Sequence, residues 1–145
     1  MKYLFDASAL LPLVTRRGKQ LIVEASRENL VTTDLAIYEA CNRLWKLATL
    51  LKTITLQDAL DVATTLKNLT IKNVIQPINF AKLDLSHTLK TAHKEQLTFY
   101  DTSYITTAEN TEAIIVTEDE KLQKTANKFI KTIIYTDLEN KLAQK

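Results

Sequence analysis

Short runs of consecutive apolar residues alternate along this chain with longer segments in which apolar residues recur every three or four positions. Buried strands and amphipathic helices are therefore expected in turn. The runs are Tyr3-Leu4-Phe5, Leu30-Val31-Thr32, Val74 to Ile78, Ala113 to Thr117 and Thr132 to Tyr135. The fourth is the clearest, a β-branched run ending in Thr117-Glu118-Asp119. Pro77 interrupts the third, which suits a strand end or an edge. Between the runs, the spacing predicts helices over Ala7 to Val14, on to about Arg27, Leu35 to about Leu51, Leu56 to about Leu69, Phe80 to about Glu95, Thr102 to Glu109 and Glu120 to Lys128. A capping box at Thr136-Asp137-Leu138-Glu139 is expected to open a last one. No internal repeat or linker interrupts the alternation, which implies one α/β domain over residues 1–145. The expected form is a three-layer α/β/α sandwich with a central, mainly parallel sheet of four to five strands.

In the third of these helices, after the second strand, Ile37, Ala40, Cys41, Leu44, Leu47, Ala48 and Leu51 form one apolar stripe. Glu39 lies off that stripe, with Arg43, Lys46 and Leu50 on its own side at i+4, i+7 and i+11.

Composition narrows the function classes. A chain of 145 residues buries about two-thirds of its unfolded surface, so neither disulfides nor structural metal are needed. Cys41 is the one cysteine, no Cys/His spacing resembles a zinc site, and the N-terminus lacks a signal peptide's long apolar core. No apolar run approaches the roughly 20 residues that span a bilayer. A soluble, cytoplasmic protein with no membrane partner is expected. The net charge of +2 is too small to argue for nucleic acid. Gly18 is the one glycine, which excludes the Gly-rich phosphate loops of dinucleotide-binding and P-loop proteins.

Four acids stand out from the apolar pattern. Asp6 and Asp119 each follow an apolar strand, so both emerge at the same edge of a parallel sheet, where open α/β sheets place ligands. Glu39 sits early in the helix after strand two, over that edge. Asp101 lines up with Ile105 and Ala108, with Tyr104 beside them, so a charge points where the core stripe points. Singly, each has a plainer explanation: Asp6, Asp101 and Asp119 as helix N-caps, Glu39 as the i+4 partner of Arg43. Jointly, four carboxylates on one edge without matching bases repel one another unless a cation is present. Oxygen donors without Cys or His suit Mg²⁺ or Mn²⁺.

The order Asp6-x-Ser8 after strand one, Glu39 after strand two, Tyr100-Asp101-x-x-Tyr104 opening a late helix and Thr117-x-Asp119 after the next strand resembles the PIN-domain ribonucleases, in particular the VapC-type toxins. The resemblance spans the chain. It implies that Asp6, Glu39, Asp101 and Asp119 hold divalent metal, Mg²⁺ or Mn²⁺, and carry catalysis. Ser8 and Thr117 would orient carboxylates or water, and the substrate would be RNA. It further implies a small antitoxin as partner and a homodimer, for which Trp45 and Leu50, outside the core stripe, are the candidate face. Arg43 and Lys46, and Arg16, Arg17 and Lys19 on the other side, are candidate contacts for the RNA backbone, or else solvated charges. Asp34, Glu118 and Glu120 are read as solvated, and His87 and His93, six apart, are given no role.

Two other readings stand beside this one. A PIN fold can act as an RNA-binding or RNA-processing module that is not a toxin. A receiver-type signalling domain also gathers acids at a sheet edge, but it needs an Asp after the third strand and a Lys after the fifth. Pro77-Ile78-Asn79 and Thr136-Asp137 occupy those places.

Overall fold

A computed structural model describes residues 1–144. Five strands, β1 (Lys2–Phe5), β2 (Asn29–Thr33), β3 (Gln76–Ile78), β4 (Ile114–Thr117) and β5 (Thr132–Ile134), form one sheet in the order β3-β2-β1-β4-β5. Every pairing is parallel. The helices are α1 (Ala7–Arg17), α2 (Gln20–Glu24), α3 (Asp34–Trp45), α4 (Leu56–Ile71), α5 (Leu85–Glu95), α6 (Phe99–Thr111), α7 (Glu120–Ala126) and α8 (Tyr135–Ala143).

This is the expected α/β/α sandwich. Right-handed crossovers send α1 to α4 to one face and α5 to α7 to the other. α8 returns to the first face, where the Tyr135 hydroxyl meets the Pro12 carbonyl of α1 at 3.4 Å. The sheet is buried on both sides, which accounts for the unbroken apolar runs. Tyr3, Leu4, Phe5, Ile115 and Val116 are fully covered, with Leu10, Leu13, Ile105 and Leu138 packed above and below. The strand order differs from the 2-1-3-4-5 order of receiver-like folds, which removes that reading.

Several boundaries differ from expectation. α1 runs on to Arg17, carries Pro12 inside it, and stops at Gly18, whose φ of +26° a residue with a Cβ rarely adopts. The helix expected from Leu35 to Leu51 is regular only to Trp45, then widens into a π turn, Lys46–Leu50, in which no residue is buried. Its core face is Ala36, Ala40 and Leu44, while Cys41 and Leu51 are exposed. The segment expected as one helix from Phe80 splits into a short 3-10 turn, Phe80–Lys82, capped by Asn79, and α5, capped by Asp84. The expected capping box is absent: α8 begins at Tyr135 with no side-chain cap, and Glu139 pairs with Arg16 at 3.1 Å. No helix among the described residues is long and apolar enough to cross a membrane.

Register positions the chemistry. Phe5 lies opposite Thr32 on one side and Val116 on the other, so β1, β2 and β4 end level with one another. The Thr32 hydroxyl donates to the Phe5 carbonyl at 2.8 Å, and the Asp6 amide donates to the Val116 carbonyl at 3.2 Å. From β1 the chain winds outward to β2 and β3 and later returns to β4 and β5. The β1/β4 boundary is thus the point where strand order reverses, the usual place for a ligand crevice.

Candidate functional site

Asp6 is the first residue beyond β1 and is almost fully buried. It caps α1, its Oδ1 accepting from the Ala9 amide at 3.0 Å, so the capping explanation is correct as far as it goes. Capping needs only one oxygen, however. Oδ1 also accepts from the Ser8 hydroxyl at 2.7 Å, and Oδ2 accepts from the Thr117 hydroxyl. Burial pushes the carboxyl up to about 6 against these hydrogen bonds, and the Asp119 charge adds to the rise.

Ser8 and Thr117 link this carboxylate to the β4 exit. The Glu118 amide donates to the Ser8 hydroxyl and the Asp119 amide to the Thr117 hydroxyl, each at 2.9 Å. Asp119 then caps α7, its Oδ1 accepting from the Lys121 and Leu122 amides at 3.0 and 3.1 Å.

Asp101 is not an N-cap. Thr98 caps α6, its hydroxyl accepting from the Asp101 amide at 3.1 Å, which leaves the Asp101 side chain free of that duty on the first turn. It is half-buried, and desolvation followed by the Asp119 charge raises its pKa. Asp119 therefore acts on both Asp6 and Asp101, and the three carboxyls share one electrostatic neighbourhood.

Glu39 approaches from α3 and is exposed. Its contact is not the expected Arg43: Oε1 accepts a 2.9 Å hydrogen bond from the Tyr104 hydroxyl of α6. Tyr104 is buried, and burial with the charges of Glu39 and Asp6 lifts its pKa far above the ordinary value, so the phenol remains a donor. Sequence reasoning gave Tyr104 no role, although its position three residues after Asp101 places both on one helix face.

None of the four acids makes an ion pair among the described residues. As they stand, no three Asp, Glu, His or Cys side chains among those residues lie close enough to share one ion. Each accepts from its own protein donors. The donor set nevertheless fits a hard divalent cation: it is all oxygen, and the Asp119 charge adds to the burial-driven rise in the pKa of Asp6 and Asp101.

A cleft of about 680 Å³ adjoins this edge, lined by Ser8, Arg16, Glu39, Arg43 and Glu118 above an apolar floor that includes Leu44 and Leu47. Arg43 and Arg16 thus face it, whereas Lys46, in the π turn, does not line it. A shallower depression on the other side of Glu39 is lined by Leu35, Tyr38, Asn42 and Tyr100. Two acids read as solvated have structural partners. Asp34 accepts from the Phe80 amide at 3.0 Å, and Glu118 from the Thr136 amide at 3.2 Å.

Residues 3–128 match the family model for the PIN domain. Exonuclease VapC9 of Pyrobaculum aerophilum is 37% identical over 125 residues, covering 84% of this chain and 84% of that protein. A crystal structure of a protein from the same organism aligns with a TM-score of 0.75 at 30% identity over the whole of both chains. DNA-bound VapBC from Salmonella typhimurium shares the fold alone, with a TM-score of 0.62 at 10% identity over 93% of this chain and 98% of that one.

Proposed function

The chain belongs to the PIN domain family, and from that premise we propose that it is a divalent-metal-dependent ribonuclease acting as the toxin of a VapBC-type pair. What supports this reading is that the Asp119 charge acts on both Asp6 and Asp101 near the strand-order reversal of the sheet, and that none of these acids is ion-paired among the described residues. The similarity to a protein named exonuclease VapC9 supports the nuclease class and the toxin assignment.

In this reading Asp6, Glu39, Asp101 and Asp119 hold Mg²⁺ or Mn²⁺. Bound there, the ion would make a water nucleophilic near neutral pH and offset charge on the transferring phosphoryl group. Ser8 and Thr117 hold the Asp6 carboxylate in place, so that its two oxygens keep a fixed direction. Arg43 and Arg16 receive the anionic backbone along the cleft. Tyr38 and Tyr100, both well exposed beside Glu39, offer ring faces on which unpaired bases stack, which favours single-stranded RNA over a duplex. A small antitoxin protein is the expected partner, in line with neighbours solved as VapBC assemblies. The host compartment is then the cytoplasm.

The test is cleavage of linear and circular single-stranded RNA by purified protein with Mg²⁺, with Mn²⁺ and with EDTA. Cutting of the circle identifies an endonuclease, whereas loss of the linear form alone identifies an exonuclease. Cutting that persists in EDTA removes the metal mechanism. RNA binding without cutting, under every metal condition, favours a PIN module that is not a toxin.

A further inference from the structure

Tyr104 is a core residue by burial, 3% exposed, yet its hydroxyl is spent on a solvent-facing carboxylate. The bond to Glu39 spans 65 residues of sequence and crosses from α6 on one side of the sheet edge to α3 on the other. Nothing in the packing of α6 demands it: the neighbouring hydroxyls of Thr102 and Ser103 are satisfied by carbonyls of their own helix, at 2.8 and 2.6 Å. Glu39 has three rotatable side-chain bonds and is exposed, so without a partner it would sample many rotamers. The phenol is rigid, reaching the edge from a packed ring. It fixes Oε1, and Oε2 takes no protein hydrogen bond among the described residues.

We propose that Tyr104 is a positioning residue, whose hydroxyl holds the Glu39 carboxylate at the sheet edge so that it is pre-organised to take a divalent cation. The proposal rests on the metal-dependent reading above. It is distinct from that reading because it assigns part of the affinity for the ion to a group that never touches it. A ligand held in place before binding loses less freedom on binding, and outer partners of this kind typically carry about 10- to 100-fold in metal affinity.

The experiment is a double-mutant cycle read by Mn²⁺ calorimetry on wild type, Tyr104→Phe, Glu39→Ala and the double variant, with the Mn²⁺ dependence of cleavage measured alongside. Tyr104→Phe is expected to weaken Mn²⁺ by about 10-fold or more and to raise the Mn²⁺ concentration for half-maximal cleavage, with kcat at saturating Mn²⁺ largely kept. In the Glu39→Ala background the same substitution should change Mn²⁺ affinity less than twofold, because the carboxylate it acts through is gone. A purely structural role for Tyr104 predicts equal losses in both backgrounds, and that result would overturn the proposal. So would unchanged affinity in Tyr104→Phe. If Tyr104→Phe does not fold, Glu39→Asp serves instead, since it keeps the charge but withdraws it from the phenol by one methylene. Full Mn²⁺ affinity in Glu39→Asp overturns the proposal, and a loss comparable to that expected for Tyr104→Phe supports it. Wild type that binds no Mn²⁺ overturns the metal reading along with it, whereas wild type and Tyr104→Phe binding alike removes this proposal only.

Discussion

The hydroxyl of Thr117 donates to Oδ2 of Asp6 across the junction of β4 and β1, joining residues 111 positions apart. This contact and the Ser8 contact lower the Asp6 pKa, while burial raises it more, and the carboxyl ends at about 6. Thr117→Val removes one of the opposing contacts at nearly constant volume. The Asp6 pKa should then rise further, and the pH at which half the Mn²⁺ affinity is lost on acidification should move upward. Calorimetric titrations between pH 5 and 8, on the order of one-unit steps, check this. An unchanged acid limb would show that the hydroxyl does not tune the carboxylate.

The same group links pH to stability. Asp6 binds its proton more tightly folded than unfolded, so folding gains nothing from ionisation, and stability falls as pH rises from about 3.8 through about 6. The penalty is absent below that window and fully present above it, with a size on the order of 3 kcal/mol from the shift. Asp6→Asn lacks this titration. In EDTA, the stability of wild type relative to Asp6→Asn, from urea melts at pH 4 to 7.5, should decline with rising pH. A flat difference would mean that Asp6 is not strained in the folded state.

Much of the fold was legible because its strands are buried on both faces and read as plain apolar runs, Tyr3-Leu4-Phe5 and Ile114 to Val116 above all. The exits of β1 and β4 carried Asp6 and Asp119 with them. What was not legible follows from polar residues in structural work. Thr102, Ser103, Thr106 and Thr107 of α6 are buried, their helix pressed between α5 and the sheet, and the hydroxyls of Thr102, Ser103 and Thr106 bond to backbone carbonyls or to Thr88. No apolar stripe marks such a helix. The sequence therefore points to a start near Asp101, whereas Thr98 caps the helix. The Tyr104 to Glu39 bond joins two helices on opposite sides of the sheet edge, and neither local spacing nor composition encodes that meeting.

Arg43 and Lys46 lie less than one turn apart but face different surroundings, Arg43 in the cleft beside Glu39 and Lys46 outside it. Arg43→Ala should raise KM for single-stranded RNA several-fold, lower the salt dependence of binding by about one contact, and leave Mn²⁺ affinity intact. Lys46→Ala should do little to any of these. Fluorescence anisotropy with a labelled RNA across a salt series separates the two, and equal effects would place the RNA path elsewhere.

Trp45 and Leu50 are more than half exposed, at the end of α3 and in the π turn, where no residue contributes to the core. If they form the homodimer face, wild type should scatter light as twice the chain mass at micromolar concentration, and Trp45→Glu should scatter as the monomer with an unchanged melting transition. A wild-type monomer at all accessible concentrations rejects the dimer. A dimer indifferent to Trp45→Glu moves the face to another surface.

Asp101→Asn tests whether the acids form one site. Thr98 caps α6 through the Asp101 amide, which the substitution keeps, and the Asn side chain retains an oxygen for the Thr98 hydroxyl, so the main change is the lost charge. Desolvation and the Asp119 charge raise the Asp101 pKa, so ionised Asp101 costs stability in the metal-free protein as pH rises through its folded-state pKa. Removing the charge should leave the protein in EDTA at neutral pH as stable as wild type or more so. With Mn²⁺ the order should reverse: wild type gains melting temperature through preferential binding to the folded state, whereas Asp101→Asn loses most of that gain together with cleavage. The two effects have opposite signs because one carboxylate is a liability among its neighbours and an asset to a cation. Melting curves of both proteins in EDTA and in Mn²⁺ read both signs at once. A variant that still gains stability from Mn²⁺ as wild type does, and still cuts RNA, would take Asp101 out of the site and leave Asp6, Glu39 and Asp119 to account for it alone.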